Sequence, residues 1–400
     1  MNKYKPFSLF IPFLLYAVTS ASALPIEMLP RYTLHLSTPH LSMQDSIRDI
    51  SIISLGDWGS ASLGGYHLRN AENTANAMTT YASEYNPKLV LNTGDNFYYC
   101  GIQNTSDPQI SDDYVNLFGN LSLPWYNALG NHDYGFNPAA QLELNQTIPQ
   151  WIMDDRYYHR RVILSNTDSN TDSNTYSNIP LNIIVLDTNP CVNDYRGEDR
   201  EKWDPCGTQY PTCSPVAGEC MFHENILAQD CKAQLNWFNA TLSNIPPNEW
   251  IFVIGHHKAD EIDVEDFQSV LNSSRVHLYL NGHNHNLEHY SIDGESKYIT
   301  TGAAGMVIIG NAGHSFVKLH DESTQFKYKK HQVKSVWSKI VTGFTTHTFI
   351  DRGTKVRTDF WDVNQHILHT FTIAINGTNG INNSTSPKNP KYSIFNAVVA

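Results

Sequence analysis

Ser51-Ile-Ile-Ser-Leu-Gly-Asp-Trp-Gly59 is an apolar, β-branched run that stops at a glycine and an acid. Five more segments follow the same grammar. Residues 89–91 precede Gly94-Asp95, residues 125–129 precede Gly130-Asn131-His132, and residues 183–186 precede Asp187. Residues 250–254 precede Gly255-His256, and residues 276–280 precede Asn281-Gly282-His283. Near-continuous apolar strands belong to a sheet covered on both faces, because a half-exposed strand alternates with polar residues. Helical patterns lie between them. Residues 68–85 are rich in Ala, Asn, Thr and Glu and are followed by Pro87, and residues 230–242 set Leu235, Phe238 and Leu242 at helical spacing. Alternating strand and helix predicts an α/β layered fold. In such folds the ligand-bearing loops leave the C-terminal ends of strands. The acids and histidines fall there. Residues 342–375 return to strand patterns and read as a closing β-hairpin.

The chain has 400 residues, 40% of them hydrophobic, with a net charge of −12. That apolar share fills a core and excludes a mostly disordered chain. The 23 Gly and 19 Pro follow no collagen-like period. The acidic balance argues against non-specific nucleic-acid binding, which needs a basic face. Residues 1–23 read as a secretory signal peptide: Lys3 and Lys5, an apolar stretch over residues 7–18, then Ala21-Ser22-Ala23. Its removal takes two Lys and no acid, moving the charge from −12 to −14. The expected destination is the exterior or the secretory lumen, with a lysosome or vacuole as variants and a periplasm in a bacterium. No later segment is long and apolar enough for a membrane span. Residues 24–375 read as a single domain, residues 166–178 (NTDSNTDSNTYSN) as a mobile loop, and residues 376–400 as a flexible Asn-rich tail. Asn104, Asn120, Asn145, Asn239, Asn272, Asn376, Asn382 and Asn383 head glycosylation sequons. Five of the six Cys lie in a turn-rich insertion at 191–231. In an oxidising compartment they predict disulfides; zinc is the alternative, although no pair has C-x2-C spacing.

Five motifs carry the chemistry: GDWG at 56–59, GDNFY at 94–98, GNHD at 130–133, GHHK at 255–258 and GHNHN at 282–286. Any one of them alone could be an acidic turn or a helix cap. Together they place Asp57, Asp95, Tyr98, Asn131, His256, His283 and His285 at loop starts behind strands. This is an N/O donor set without thiolates, suited to iron, zinc or manganese. Seven donors are too many for one ion. A carboxylate shared between two ions ~3.5–4 Å apart accommodates them.

These motifs resemble the metallophosphoesterase (calcineurin-like) superfamily and, within it, the small purple acid phosphatases of the tartrate-resistant type. The resemblance runs from Ile52 to Ile373. Metallophosphoesterases in general carry Asp-x-His in the first motif, where this chain has Gly59; the purple subfamily supplies a tyrosine from the second motif, where this chain has Tyr98. The resemblance implies a four-layer α-β-β-α sandwich of two mixed sheets. It implies Fe(III) held by Asp57, Tyr98 and His285, a divalent Fe, Zn or Mn held by Asn131, His256 and His283, and Asp95 bridging both. The implied activity is hydrolysis of phosphate monoesters by metal-activated hydroxide. His132 would reach the phosphate or the leaving oxygen, with Asp133 fixing its orientation.

The chain also departs from the pattern. The family often has GHYP with another His a few residues on; here the run is Gly255-His256-His257-Lys258-Ala259-Asp260, and no His follows it nearby. His257 or Lys258 then either faces the phosphate or faces solvent. After GNHD the family's second His is replaced by Tyr134. A two-divalent-ion phosphodiesterase or nucleotide hydrolase, and an inactive phosphatase-like scaffold, are the alternatives. Tyr98 opposes the first, and the complete set of seven donors opposes the second.

Overall fold

Neighbouring residues of the central strands are buried in different cores. Ile183, Phe252, Ile254, Leu278 and Leu280 join one apolar cluster, while Ile184, Ile251, Val253 and Tyr279 join another. Strand side chains alternate between faces, so this sheet is covered on both, as its unbroken apolar runs predict. The computed structural model describes residues 49–165, 178–197, 219–307 and 331–375. Within them the first sheet contains β1 (Ile50–Leu55), β2 (Val90–Asn92), β3 (Trp125–Asn127), β4 (Trp151–Ile152), β12 (Gly343–Ile350), β13 (Lys355–Asp362) and β14 (Ile367–Ala374). The second contains β5 (Tyr158–Leu164), β6 (Ile179–Val185), β7 (Trp250–Ile254), β8 (Leu278–Asn281), β9 (Leu287–Ile292), β10 (Glu295–Thr301) and β11 (Val333–Lys339).

The strand orders are β14-β13-β12-β1-β2-β3-β4 and β11-β9-β10-β8-β7-β6-β5. Both sheets are mixed. β1 to β4 run parallel, as do β6, β7, β8 and β10, and the remaining pairings are antiparallel. The sheets pack face to face, with Phe252 of β7 stacked on Phe349 of β12 at 5.9 Å. Helix α1 (Gly65–Tyr85) covers the outside of the first sheet, where Tyr81 meets Trp361 at 5.5 Å. Helix α2 (Cys231–Asn244) covers the second through Leu235, Phe238 and Leu242. The Asp230 carboxylate caps α2, accepting from the Ala233 N–H at 3.1 Å. This is the four-layer sandwich.

The end of the chain departs from the expected hairpin. Residues 342–375 form a three-stranded meander, and β12 pairs antiparallel with β1, so the chain's end completes the sheet its start began. Two tight reversals make the difference: Arg352 and Gly353 at φ +58° and +80°, and Gln365 at +65°. Cys191 and Cys231 form a disulfide between the segment after β6 and the first turn of α2, and Cys100 and Cys220 are disulfide-bonded too. The four described cysteines therefore offer no thiolate to zinc. Cys206, Cys213, the expected signal peptide at 1–23, residues 166–177 of the low-complexity run and residues 376–400 lie outside the described residues. Among the described helices none is long and apolar enough to cross a membrane.

Candidate metal centre

All five motifs leave the C-terminal ends of parallel strands. Asp57 follows β1, Asp95 follows β2, Asn131 follows β3, His256 follows β7, and His283 and His285 follow β8. Asp57, Asp95, His283 and His285 sit at φ +56°, +55°, +71° and +50°. That left-handed region costs a residue with a Cβ about 1 kcal/mol or more, and four such turns at one spot reverse the chain directly off the strands. Glycines let the loops close. A Cβ on Gly130 would lie 2.1 Å from Asp95 Oδ1, and one on Gly282 would lie 2.4 Å from Asp57 Oδ2.

The donor atoms converge in two groups. In the first, Tyr98 OH lies 3.0 Å from Asp57 Oδ1, 2.8 Å from Asp95 Oδ2 and 3.1 Å from His285 Nε2. In the second, Asn131 Oδ1 lies 3.0 Å from both His256 Nε2 and His283 Nδ1. Asp95 Oδ2 is also 3.4 Å from His256 Nε2, so a single carboxylate oxygen joins the groups. Backbone and carbonyl groups fix the donors. His283 N–H donates to Asp57 Oδ2 at 3.0 Å, and His132 N–H donates to Asp95 Oδ1 at 3.0 Å. His256 Nδ1–H donates to the Thr93 carbonyl at 2.9 Å, which leaves the Nε2 lone pair facing the second group. Thr188, which the sequence reading missed, accepts at its Oγ1 from the N–H groups of both His256 and His257.

The electrostatics of this cluster call for cations. Burial pushes the Tyr98 phenol well above its ordinary value, and Asp57 and Asp95 push it further. A phenolate there needs a positive charge beside it. Burial and the charge of His256 hold His283 well below its usual range. Asp95 is held well below the carboxylate range: burial raises it, but His256 and His132 outweigh that. In His256 burial lowers the pKa and Asp95 overrides it, lifting the group to about 9. Two buried carboxylates, a phenol, an amide oxygen and three imidazoles in two groups joined by Asp95 are a donor set that fits a pair of bridged cations.

The remaining candidates divide. His132 lies against Tyr98, ring centroids 4.6 Å apart, and its Nδ1–H donates to the Tyr99 carbonyl at 2.7 Å. A carbonyl only accepts, so the proton sits on Nδ1 and Nε2 is left for the open side. Asp133 does not orient this ring, contrary to expectation. Its carboxylate points into the protein, accepting from the N–H groups of Asn96 (3.0 Å), Phe97 (3.1 Å) and Gly130 (2.8 Å) and from Gln141 Nε2 (2.9 Å). The physical reason is burial: a fully enclosed carboxylate takes the backbone donors of two tight turns and so locks GDNFY to GNHD. Burial and Asp95 push Asp133 up to about 7. His257 is also turned inward, with Nδ1 2.8 Å from Thr188 Oγ1 and Nε2 2.9 Å from Tyr195 OH. Lys258 Nζ is held by Glu288 at 3.1 Å and lies 4.3 Å from the centre of the Tyr290 ring. Tyr134 binds Asp187, with Arg156 2.8 Å from its hydroxyl.

Comparisons with known proteins agree with this architecture. Residues 50–287 match the calcineurin-like phosphoesterase family. Purple acid phosphatase 3 of Arabidopsis thaliana is 27% identical over 354 residues, covering 84% of this chain and 82% of that protein. Tartrate-resistant acid phosphatase type 5 of Mus musculus is 24% identical over 274 residues, covering 64% of this chain and 73% of that protein. Among solved structures, GAP50, the anchor in the inner membrane complex of Plasmodium, aligns with a TM-score of 0.54 at 19% identity over 82% of this chain and 89% of that one. That last likeness is one of fold.

Proposed function

Because this chain belongs to the calcineurin-like phosphoesterase family, we propose that it is an exported acid phosphatase that hydrolyses phosphate monoesters at a binuclear Fe(III)–M(II) centre. The observation that carries this reading is the Tyr98 hydroxyl, within 2.8–3.1 Å of Asp95, Asp57 and His285. A phenol enclosed by two carboxylates suits a trivalent, oxygen-loving ion, while the neutral Asn131, His256 and His283 suit a divalent one. Asp57, Tyr98 and His285 would hold the first and Asn131, His256 and His283 the second, with Asp95 placed to serve both. When bound, the two cations supply Lewis acidity toward the phosphoryl oxygens and lower the pKa of the attacking water. His132, anchored at Nδ1 by the Tyr99 carbonyl, presents Nε2 to the leaving oxygen; it donates a proton from there only as the imidazolium, which burial disfavours, so this role belongs to acidic pH. Asp133 is a positioning residue that keeps Asp95 and Asn131 in register. The two homologues named above are acid phosphatases by name, and the signal-like N-terminus supports export.

The test is elemental analysis with a visible spectrum and a p-nitrophenyl phosphate assay on the purified full chain. About two metal ions per chain, a phenolate-to-iron charge-transfer band and phosphate release are expected. A colourless, metal-free and inactive protein refutes the proposal. Two divalent ions with a preference for diesters would favour a phosphodiesterase.

A further inference from the structure

The first sheet carries an apolar groove at the end of its strands away from the metal loops. Trp125 opens β3 and Trp151 opens β4, and the groove lies where the chain enters these strands, with a volume of about 360 Å³. Its floor is Tyr114, Phe118 and Trp125, buried rings packed edge to face, Tyr114 and Phe118 lying 5.1 and 5.2 Å from Trp125. Its rim is apolar as well. Val115 is 45% exposed there, and Ile148 and Pro149 belong to the same lining. Among the described residues no Asp, Glu, Lys, Arg or His lines it. A hollow within the roughly 300–1,000 Å³ of small-ligand sites, apolar and open to water, marks a place that an uncharged partner covers.

The lip of this groove carries a glycosylation signal. Asn120 and Ser122, the first and third residues of the sequon Asn120-Leu121-Ser122, both line it. They stand on a tight reversal: Gly119–Leu121 is a single 3-10 turn, and Ser122 follows at φ +52°. Both are exposed, while Leu121 between them is buried. Thr147, the third residue of the Asn145 sequon, lines the groove too. Asn239 and Asn272, by contrast, are tied into the fold. Asn239 Nδ2 donates to the Leu235 carbonyl at 3.1 Å, and Asn272 Oδ1 accepts from the Tyr298 hydroxyl at 3.0 Å.

We propose that Asn120 carries an N-linked glycan whose first N-acetylglucosamine lies in this groove and covers it. The inference rests on the export reading, which delivers the chain to a glycosylating compartment. Transfer joins Asn120 Nδ2 to the anomeric carbon of the sugar. The bond from that carbon to the diphosphate of a lipid-linked donor breaks, the diphosphate leaves with the electron pair, and the amide gives up one proton. A sugar ring has an apolar C–H face and hydroxyl edges, so it suits an uncharged apolar floor while its polar groups stay in water. Attachment at the lip also holds the sugar at a high effective concentration over the groove, so a weak contact suffices to seat it. The motif loop bearing Asn131 leaves the other end of β3, which keeps the glycan clear of the metal centre.

The full chain is secreted from a eukaryotic host and its peptides are weighed; the one containing Asn120 should carry a glycan. Trimming the folded protein to the first N-acetylglucosamine should leave its thermal midpoint and its binding of an apolar dye unchanged. Removing that last sugar should raise dye binding and lower the midpoint by about 2–4 °C, the shift made by losing one apolar contact in a large domain. Ser122→Ala, which blocks transfer but keeps Asn120, should reproduce that state, and Ser122→Thr, which keeps the sequon, should match the parent. None of these changes should alter kcat/KM for p-nitrophenyl phosphate. A bare Asn120 in the secreted protein overturns the proposal, whether or not Asn145 is glycosylated; if that protein also sediments as a dimer, the groove belongs to a second copy. A glycosylated Asn120 whose complete trimming changes neither dye binding nor midpoint overturns it as well. A chain that reaches the medium only behind a foreign signal peptide refutes export instead, and the occupancy of Asn120 in that secreted form still decides the groove.

Discussion

Replacing Asp133 with Asn separates a positioning role from a catalytic one. The carboxylate is completely buried and serves four N–H donors, three of them backbone groups of the turns that carry Asp95 and Asn131. Asn has the same shape but a single acceptor oxygen. If that oxygen keeps the Asn96, Phe97 and Gln141 contacts, the amide NH2 faces the Gly130 N–H, now 2.8 Å away with no acceptor between. The loss is one charge-assisted bond, about 1.5–3 kcal/mol, and one orphaned buried N–H, about 1–3 kcal/mol more. The two turns should therefore loosen by about 2.5–6 kcal/mol. Since they carry ligands to both groups, metal affinity should fall by about 10–100-fold, the usual effect of removing an outer support. Competition with a chelator measures it, and urea unfolding of the metal-free protein measures the stability term. An Asp133→Asn variant with wild-type metal affinity and stability, but the altered pH profile of a His132→Ala variant, would refute this and return Asp133 to the role of orienting His132.

Other outcomes follow from single contacts. Tyr98→Phe should abolish the visible band and weaken iron binding while the divalent ion stays, read by absorbance and metal analysis; a variant that stays coloured contradicts the phenolate assignment. Burial lowers His277 to about 4, His289 to about 4 and His347 to about 3, against an ordinary value of 6.5. The unfolded chain takes up these protons first, so their stabilisation is complete above pH 6.5 and is lost as pH falls toward 4. Three such groups give a slope of about 4 kcal/mol per pH unit near pH 5, at about 1.36 kcal/mol each. Thermal melts of the metal-free protein between pH 7 and 4.5 test this; His347→Gln should remove about a third of the slope, and an unchanged slope counts against it. The Cys191–Cys231 disulfide closes a loop of sequence separation 40, and its removal as Cys191→Ala/Cys231→Ala should cost about 4 kcal/mol. A loss under about 1 kcal/mol in urea unfolding would show that the loop is already constrained when unfolded.

The parts legible in the sequence are those whose signal is local. Trp250–Ile254 reads as a doubly covered strand because Ile251 and Val253 face one core while Phe252 and Ile254 face the other. The convergence of the seven donor residues is legible for the same reason, since each stands a few residues past such a run. The meander reads as a single hairpin although Asp351 and Gly353 at the first reversal and Asp362 and Asn364 at the second are turn residues; the strand patterns on either side do not say how many times the chain reverses. Asp133 and His257 were misjudged or left open because each adjoins a ligand in sequence while its side chain turns the other way. The deciding partners, Asn96, Phe97 and Gln141 for one and Thr188 and Tyr195 for the other, come from distant segments.

One sequence signature gains a physical basis from the structure. Gly59 and Tyr98 were paired by family resemblance alone, yet they touch: the Tyr98 N–H donates to the Gly59 carbonyl at 2.8 Å. A Cβ at position 59 would lie 1.8 Å from the Asn96 carbonyl oxygen and 2.7 Å from the Phe97 nitrogen. Any side chain at position 59 must push away the turn that delivers Asp95 and Tyr98. A histidine ligand from the first motif and this placement of the second motif's tyrosine therefore exclude each other. The loss of one donor and the gain of the other are a single structural choice. Gly59→His should then fail to add a ligand to the first group; it should displace Tyr98 and release the metal. Restoring the missing histidine is consequently predicted to lower metal content rather than convert the site, and a Gly59→His variant that binds two ions as tightly as the parent would show that the loops can separate without cost.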